Sequence, residues 1–181
     1  MFTRKDLIKL IIPLIIEQML AVTVGLADSI MVVRVGEAAV SGVSLVDSVN
    51  VLLIGLFGAL ATGGAVVSAQ FLGHKEEKSA CIAGEQLIAV ILALSVVLMA
   101  FSLFFGKSSL DFLFGDVNAD VMAYARTYLF YSAMSYPFIA LYNACAALFR
   151  SMGNSKVSMI ISFFMNVIHV LKRFVVFVSI K

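Results

Sequence analysis

Charged residues are scarce in this sequence. Asp, Glu, Lys and Arg together make up 13% of its 181 residues, whereas hydrophobic residues make up 62%. Soluble globular domains are about half apolar and about a quarter charged. A soluble fold of this size could not bury so much apolar surface, because accessible surface shrinks only slowly relative to chain length. The composition therefore excludes an ordinary soluble domain and predicts an integral membrane protein.

Cysteines and catalytic motifs are also few. The two cysteines, Cys81 and Cys145, lie too far apart for a metal-ligand motif, and they are too few for a disulfide framework. The formal net charge of +2 is too small to suggest a nucleic-acid partner. H-E-x-x-H, G-x-S-x-G and P-loop motifs are missing. These absences favour transport over enzymatic catalysis, and we expect no cofactor other than a coupling ion.

Long apolar segments dominate what is present. A helix needs about 20 apolar residues to cross a bilayer. The first apolar run follows basic residues, but it is much longer than the roughly 7–15 residues of a cleaved signal peptide, so we interpret it as an uncleaved helix. We predict an all-α bundle of about five transmembrane helices, forming one partial domain over residues 1–181. The predicted helices are Leu7–Val33, Leu45–Leu72, Leu87–Phe105, Val121–Leu148 and Val157–Ile180.

The basic residues indicate a cytoplasmic N-terminus, since Lys and Arg concentrate in cytoplasmic loops. With that orientation, seven of them lie inside: Arg4, Lys5, Lys9, Lys75, Lys78, Arg150 and Lys156. Three lie outside: Arg34, Lys107 and Arg126. Five helices would place the C-terminus outside, where Lys172, Arg173 and Lys181 contradict the rule. A sixth helix would remove the contradiction, so we expect the chain to be cut short.

The first helix carries two acidic residues within its apolar run. Glu17 and Asp28 are eleven residues apart, about three turns, and therefore share one helix face. A charge inside a transmembrane helix costs at least ~2.5–3.5 kcal/mol, so such residues are usually functional or paired. Two acids on one face predict the wall of a polar cavity, where a carboxylate can bind and release H⁺ or Na⁺. The alternative is a carboxylate permanently hydrogen-bonded to neighbouring helices.

Polar residues in the second and fourth helices give further cavity-lining candidates. Asp47 stands near the predicted start of the second helix, where it could line a cavity or merely cap the helix. Tyr136 and Pro137 lie within the fourth helix, and Pro137 could form a hinge or a packed bend. Tyr124, Tyr128 and Tyr131 are more typical of an interfacial belt than of a substrate site.

The fifth helix and the glycines of the second allow two interpretations each. Asn166 and His169 share a face and are candidates for the cavity wall or for packing. Arg173 continues that face and could neutralise Asp28 if the two helices touch.

In the second helix, Gly55, Ala59 and Gly63 are spaced four apart, which predicts tight helix packing or, alternatively, a sliding surface.

Several short motifs, in order along the chain, resemble one transporter family. They are Ile12-Pro13, Ala27-Asp28-Ser29-Ile30-Met31-Val32, Val35 to Gly42, Leu60 to Ala65, Ser68 to Gly73 and Ala147 to Asn154. Each motif alone is weak, but their order and spacing together are specific. The sequence resembles the multidrug and toxic compound extrusion (MATE) transporters, and most closely their DinF-like branch, up to about Asn166.

The resemblance implies a twelve-helix exporter made of two six-helix lobes around a central cavity. It implies that Asp28 is the cation-coupling acid and that the first helix bends at Pro13. The chain departs from the family in the fifth helix, where Val170, Lys172 and Arg173 follow Asn166 and His169. The sixth helix and the second lobe are absent, so a missing lobe or a partner chain would have to complete the cavity.

We therefore expect a Na⁺- or H⁺-coupled antiporter that exports lipophilic, often cationic, drugs by alternating access, in a bacterial inner membrane. This chain alone is expected to be inactive, because alternating access needs two halves that move against each other. One alternative is a lipid-linked oligosaccharide flippase, although the interiors of the first four helices lack the Arg or Lys that a diphosphate-linked substrate would need. Another is a small membrane subunit that assembles with a partner without transporting.

Overall fold

The computed structural model describes residues 4–33, 36–115 and 117–164. All regular structure in these ranges is helical, so the predicted all-α membrane fold is confirmed. The helices are α1 (Arg4–Val33), α2 (Glu37–Gly73), α3 (Glu77–Phe114), α4 (Ala119–Ser151) and α5, described over Ser155–Phe164.

Three of the described helices are long and apolar enough to cross a bilayer. By length and composition α2, α3 and α4 each qualify as membrane spans, and α1 contributes an apolar stretch at Ile11–Leu26. Large apolar side chains cover the outside of the bundle: Leu52 is 74% exposed, Phe104 82% and Phe112 90%. Soluble monomers rarely expose so extensive an apolar surface, and this surface is typical of a bundle within a membrane.

Helix α4 lies at the centre of the described bundle and packs against both α2 and α3. Short turns at residues 74–76 and 152–154 place α2 beside α3 and α4 beside α5 at one end, which we call the α2–α3 end. A buried hydrogen bond from the Ser68 hydroxyl to the Ala80 carbonyl, 2.9 Å long, joins α2 to α3 there. Helix α1 contacts α2 much less than α4 does.

Small residues allow α2 and α4 to approach closely. The buried core between the helices is rich in alanine: Ala61, Ala65, Ala133, Ala140, Ala144 and Ala147. A Cβ atom placed on Gly42 would lie 2.6 Å from the Val121 carbonyl oxygen and 2.9 Å from the Ala125 nitrogen. Only glycine therefore fits at residue 42, where the backbones of α2 and α4 meet. In lipid, such close contact is a main source of helix association.

Two interpretations of α2 are corrected by the structure. The helix begins at Glu37, eight residues before the predicted Leu45, because small and weakly polar residues lowered the hydropathy of its first turns. Asp47 therefore lies inside the helix, and its interpretation as an N-cap is wrong. The predicted packing face is also wrong for the described residues: Gly55, Ala59 and Gly63 are exposed, and a Cβ on either glycine would meet nothing within 4 Å.

The other helices also extend beyond their predicted bounds. Helix α3 spans 38 residues, although hydropathy alone predicted Leu87–Phe105. Its added turns contain Lys107 and Asp111 near one end and Glu85 near the other. Charged residues end a hydropathy segment without ending a helix, because backbone hydrogen bonds can continue beyond the hydrocarbon layer.

Candidate functional site

The first polar site surrounds Glu17, which is buried and only 7% exposed. The Tyr142 hydroxyl of α4 donates a hydrogen bond of 2.6 Å to Glu17 Oε1, and the Ser158 hydroxyl of α5 donates one of 2.8 Å to Oε2. The hydroxyls of Tyr142 and Ser162 are also hydrogen-bonded to each other. Side chains from three helices thus meet at one carboxylate.

A single basic residue balances the charge of this carboxylate. Arg150, in the last turn of α4, places Nη1 3.7 Å from Glu17 Oε1. That separation allows Coulomb attraction but is too long for a hydrogen bond. The Arg150 side chain is 30% exposed, so its charge is partly screened. We call Glu17, Tyr142, Arg150, Ser158 and Ser162 the Glu17 cluster.

The inward face of α5 supplies the serines of this cluster. Ser155, Ser158 and Ser162 follow a helical spacing of three and four residues, and all three are buried. Ser158 and Ser162 have partners in the cluster, whereas the Ser155 hydroxyl has no hydrogen-bond partner among the described residues. The described part of α5 therefore packs through a polar face, which explains why the chain buries hydroxyl groups next to Glu17.

The second polar site is a cavity of about 210 Å³ between α2 and α4. The Tyr128 hydroxyl donates a hydrogen bond of 2.9 Å to Asp47 Oδ1, and the Tyr136 hydroxyl donates one of 2.9 Å to Asn50 Oδ1. Nine residues line this α2–α4 cavity: Asp47, Asn50, Val51, Ile54, Tyr128, Ser132, Ser135, Tyr136 and Ile139.

The lining of the α2–α4 cavity combines one acid with neutral polar and apolar groups. Asp47 is its only charged residue, and no Lys, Arg or His is among the nine lining residues. Asn50 is 8% exposed and Tyr136 is 1% exposed, so the inner wall is rigidly packed. Phe57 contacts the Tyr136 ring edge-on, with ring centroids 6.5 Å apart, and supports it from behind. The cavity thus presents one carboxylate beside hydroxyl, amide and apolar groups.

The structure places the predicted site residues in different regions. Glu17 belongs to the first site, while Asp47 and Tyr136 line the second. Asp28 lies within the span of α1, but its side chain is outside the described residues, as are Asn166, His169, Lys172 and Arg173. Pairing of Asp28 with Arg173 therefore stays a prediction. So does the assignment of each of these residues to a transport cavity.

The two predicted helix bends lie inside long helices. Pro13 is buried within α1, one turn before Glu17, and Pro137 lies within α4 directly after Tyr136. Both helices continue through their prolines. A role for either proline as a hinge stays a prediction.

Sequence reasoning missed several partners of the acids. Tyr142, Ser158 and Ser162 had no visible signal, because single hydroxyls are common in membrane helices. Arg150 was assigned to a loop-end charge pattern and not to Glu17. Tyr128 was interpreted as part of an interfacial belt, yet it donates a hydrogen bond to Asp47. The spacing of Tyr128 and Tyr136, eight residues apart on one face of α4, was the signal that could have identified them.

A long apolar helix bundle with buried polar groups between its helices is the architecture of a multi-pass membrane protein. The MatE family model matches residues 13–175. The chain belongs to the MatE family. It is also similar to an uncharacterized transporter, YisQ, of Bacillus subtilis strain 168, with 28% identity over 165 residues, which cover 91% of this chain.

A solved structure shows the same fold. A MOP superfamily transporter from Pyrococcus furiosus superposes with a TM-score of 0.81 at 21% identity, over 87% of this chain. At that identity the similarity concerns the fold alone. The chain spans 36% of the length of the Bacillus relative and 34% of the archaeal one, about a third in each case.

Proposed function

We propose that this chain forms part of a cation-coupled antiporter that exports lipophilic, often cationic, compounds by alternating access. The observation that carries the proposal is the α2–α4 cavity, whose single charged residue is an acid. A carboxylate at a cavity within a membrane bundle attracts cations, and such residues commonly mark ion or substrate pathways. Family membership supports transport as the activity.

The lining of the cavity supports an organic cation as the exported compound. Asp47 offers the negative charge, while Val51, Ile54 and Ile139 offer apolar contact. Binding sites for small molecules commonly combine an apolar wall with a few polar groups that orient the ligand. The Tyr128 and Tyr136 rings add faces that attract cations.

Coupling to Na⁺ or H⁺ is proposed for Asp28, on the basis of the family resemblance. Asp28 lies on α1, and α1 contacts α2 less than α3 and α4 do. A loosely packed helix can move when an acid on it gains or loses a cation. The proposed orientation has the N-terminus and the α2–α3 end in the cytoplasm of a bacterial cell, following the distribution of Lys and Arg.

Transport by alternating access further requires a second half that moves against this bundle. We propose that a second lobe or a partner chain supplies that half. A lipid-linked oligosaccharide flippase is the less favoured function, since a diphosphate-linked substrate calls for basic residues and the α2–α4 cavity lining has none. A small non-transporting subunit would still form the cavity but would have no need of its charge.

The decisive experiment measures binding of tetramethylammonium to the purified chain by isothermal titration calorimetry. Asp47→Asn should weaken binding about tenfold, which corresponds to roughly 1.4 kcal/mol, because it removes the single negative charge among the residues that line the cavity. Tyr131→Phe is the matched control, since Tyr131 is 68% exposed and lies outside the cavity lining. Equal affinity in the Asp47→Asn variant would reject the cavity as a cation site.

Coupling is tested separately in the complete transporter. Asp28→Asn should abolish drug efflux driven by an inward Na⁺ or H⁺ gradient, with normal membrane insertion. Unchanged efflux would exclude Asp28 as the coupling acid, and loss of insertion would show a folding role instead. Efflux of an anionic lipid-linked sugar in preference to the organic cation would support the flippase.

A further inference from the structure

The Glu17 cluster is buried, whereas the α2–α4 cavity is open, and this difference indicates a separate role for Glu17. Both carboxylate oxygens of Glu17 already accept hydrogen bonds from hydroxyl donors, and the side chain is 7% exposed. Burial leaves little room for a ligand to reach this carboxylate. Its two hydrogen bonds and its ion pair come from α4 and α5, so each of them joins α1 to another helix.

Helix α1 needs such a connection, because apolar packing holds it poorly. Ten of its large apolar side chains are exposed, among them Ile12, Met19 and Leu26. Its inward face contains Pro13 and Glu17, the buried residues among those of its side chains that the structure describes. In lipid, apolar surface alone does not drive helices together, so association depends on close packing and on polar contacts.

We propose that Glu17 is a positioning residue that fixes α1 to α4 and α5 at the α2–α3 end, leaving the opposite end of α1 free to change its distance from α4. Arg150 Nη1 lies 3.7 Å from Glu17 Oε1, and the hydrogen bonds from Tyr142 and Ser158 fix the direction of the carboxylate. Asp28 is on the far part of the same helix, eleven residues beyond the attachment at Glu17. The proposal concerns helix position and holds whether or not the chain exports cations.

The position of α1 can be measured directly by double electron–electron resonance between spin labels. The first pair joins α1 to α4 through Val33→Cys and Asp120→Cys, and the second joins α2 to α4 through Glu37→Cys and Asp120→Cys. All three labelled residues are exposed. Native Cys81 and Cys145 are first replaced by serine. The second pair does not include α1 and serves as the internal control.

Glu17→Gln should broaden the distance distribution of the α1–α4 pair and shift its mean, and should leave the α2–α4 pair unchanged. Glutamine keeps the volume but loses the charge and turns one acceptor into a donor that clashes with a hydroxyl donor. Glu85→Gln is the matched control, because Glu85 is exposed on α3. That variant should change neither distribution.

Tyr142→Phe is the milder second variant, in case Glu17→Gln does not fold. It removes one donor and keeps the carboxylate and Arg150, so it should broaden the α1–α4 distribution less. Its apparent Tm should fall by roughly 2–8 °C, and adding Glu17→Gln should lower the Tm by less than the sum of the two single effects. Non-additivity would show that both residues serve the same connection.

Two results would overturn the proposal. An unchanged α1–α4 distribution in folded Glu17→Gln and Tyr142→Phe variants would show that the cluster does not position α1. Equal broadening of both label pairs would show general loosening of the bundle and not a specific attachment of α1. Neither result depends on a transport assay, so the cation-export proposal stands or falls separately.

Discussion

The Glu17 cluster and the α2–α4 cavity each contain a hydrogen bond between a tyrosine and an acid, but the two acids lie in different surroundings. In each, a tyrosine hydroxyl of α4 donates a hydrogen bond to an acid of another helix, Tyr142 to Glu17 and Tyr128 to Asp47. Glu17 is buried and has a basic neighbour, whereas Asp47 is exposed at a cavity lined by no basic residue. The comparison shows that the same acid–tyrosine hydrogen bond occurs both in a buried cluster of three helices and at the edge of a cavity.

The largest expected effect comes from breaking the closed site. Glu17→Ala removes the acceptor of both the Tyr142 and Ser158 hydroxyls. Each buried donor left without a partner costs roughly 1–3 kcal/mol, and membrane hydrogen bonds lie at the lower end, so we expect a loss of about 2–4 kcal/mol in unfolding free energy. Thermal denaturation in detergent measures it. If Glu85→Ala is equally destabilising, the Glu17 cluster is not a stabilising centre.

The next effect tests the close contact between α2 and α4 at Gly42. Gly42→Ala forces a Cβ atom against the backbone of α4 at Val121 and Ala125, so we expect a loss of about 1–3 kcal/mol from overpacking. Gly55→Ala is the matched control, because a Cβ there would meet nothing within 4 Å. It should be neutral or stabilise by up to ~1 kcal/mol through helix propensity. Chemical denaturation compares them, and similar values would contradict the close approach of α2 and α4.

A third prediction tests the hydrogen bond between Tyr136 and Asn50, two buried residues that line the α2–α4 cavity. Tyr136→Phe removes the donor to Asn50 and should cost about 1 kcal/mol of unfolding free energy, because the ring and its contact with Phe57 remain. Urea or thermal unfolding in detergent measures the change. Tyr131→Phe, on an exposed part of α4, should be neutral. An equally neutral Tyr136→Phe would show that Asn50 gains no stability from its partner.

The smallest effect is expected at the ion pair between Asp111 of α3 and Arg126 of α4. Their side chains are 2.6 Å apart but 43% and 40% exposed, so solvent and salt screen the attraction. Asp111→Asn should change the unfolding free energy by no more than ~0.5 kcal/mol, less at high salt. Denaturation in low and high NaCl measures both values. If Asp111→Asn lowered the unfolding free energy as much as Glu17→Ala does, exposure would not determine how much an acid contributes to stability.

Hydropathy predicted the membrane helices well, because lipid requires long apolar segments. It predicted helix ends poorly. Ala38 to Ser44 are too small to stand out, yet they form the first turns of α2. Lys107 and Asp111 ended the predicted third helix although the backbone remains helical through Phe114. The period of 3.6 residues does not show where a helix leaves the hydrocarbon.

The polar sites were predicted only in part. The cost of an intramembrane charge marked Glu17 as notable, but the same reasoning could not show which helices would meet it. Its partners depend on the rotation of α4 and α5, which the sequence does not display. Gly55 and Ala59 show the same limit for small residues. Their spacing favours helix packing, yet both are exposed, because a motif that favours packing does not determine which helix face packs.

The length of α3 has a consequence for the surrounding lipid. Its 38 residues extend about 57 Å at 1.5 Å per residue, nearly twice the ~30 Å hydrocarbon thickness of a typical bilayer. The helix must therefore tilt strongly or project into the headgroup layer, where its Lys107 and Asp111 can contact phosphate and water. Bilayer thickness then becomes a variable that acts on this bundle, since thicker membranes favour an upright α3 and thinner ones favour a larger tilt.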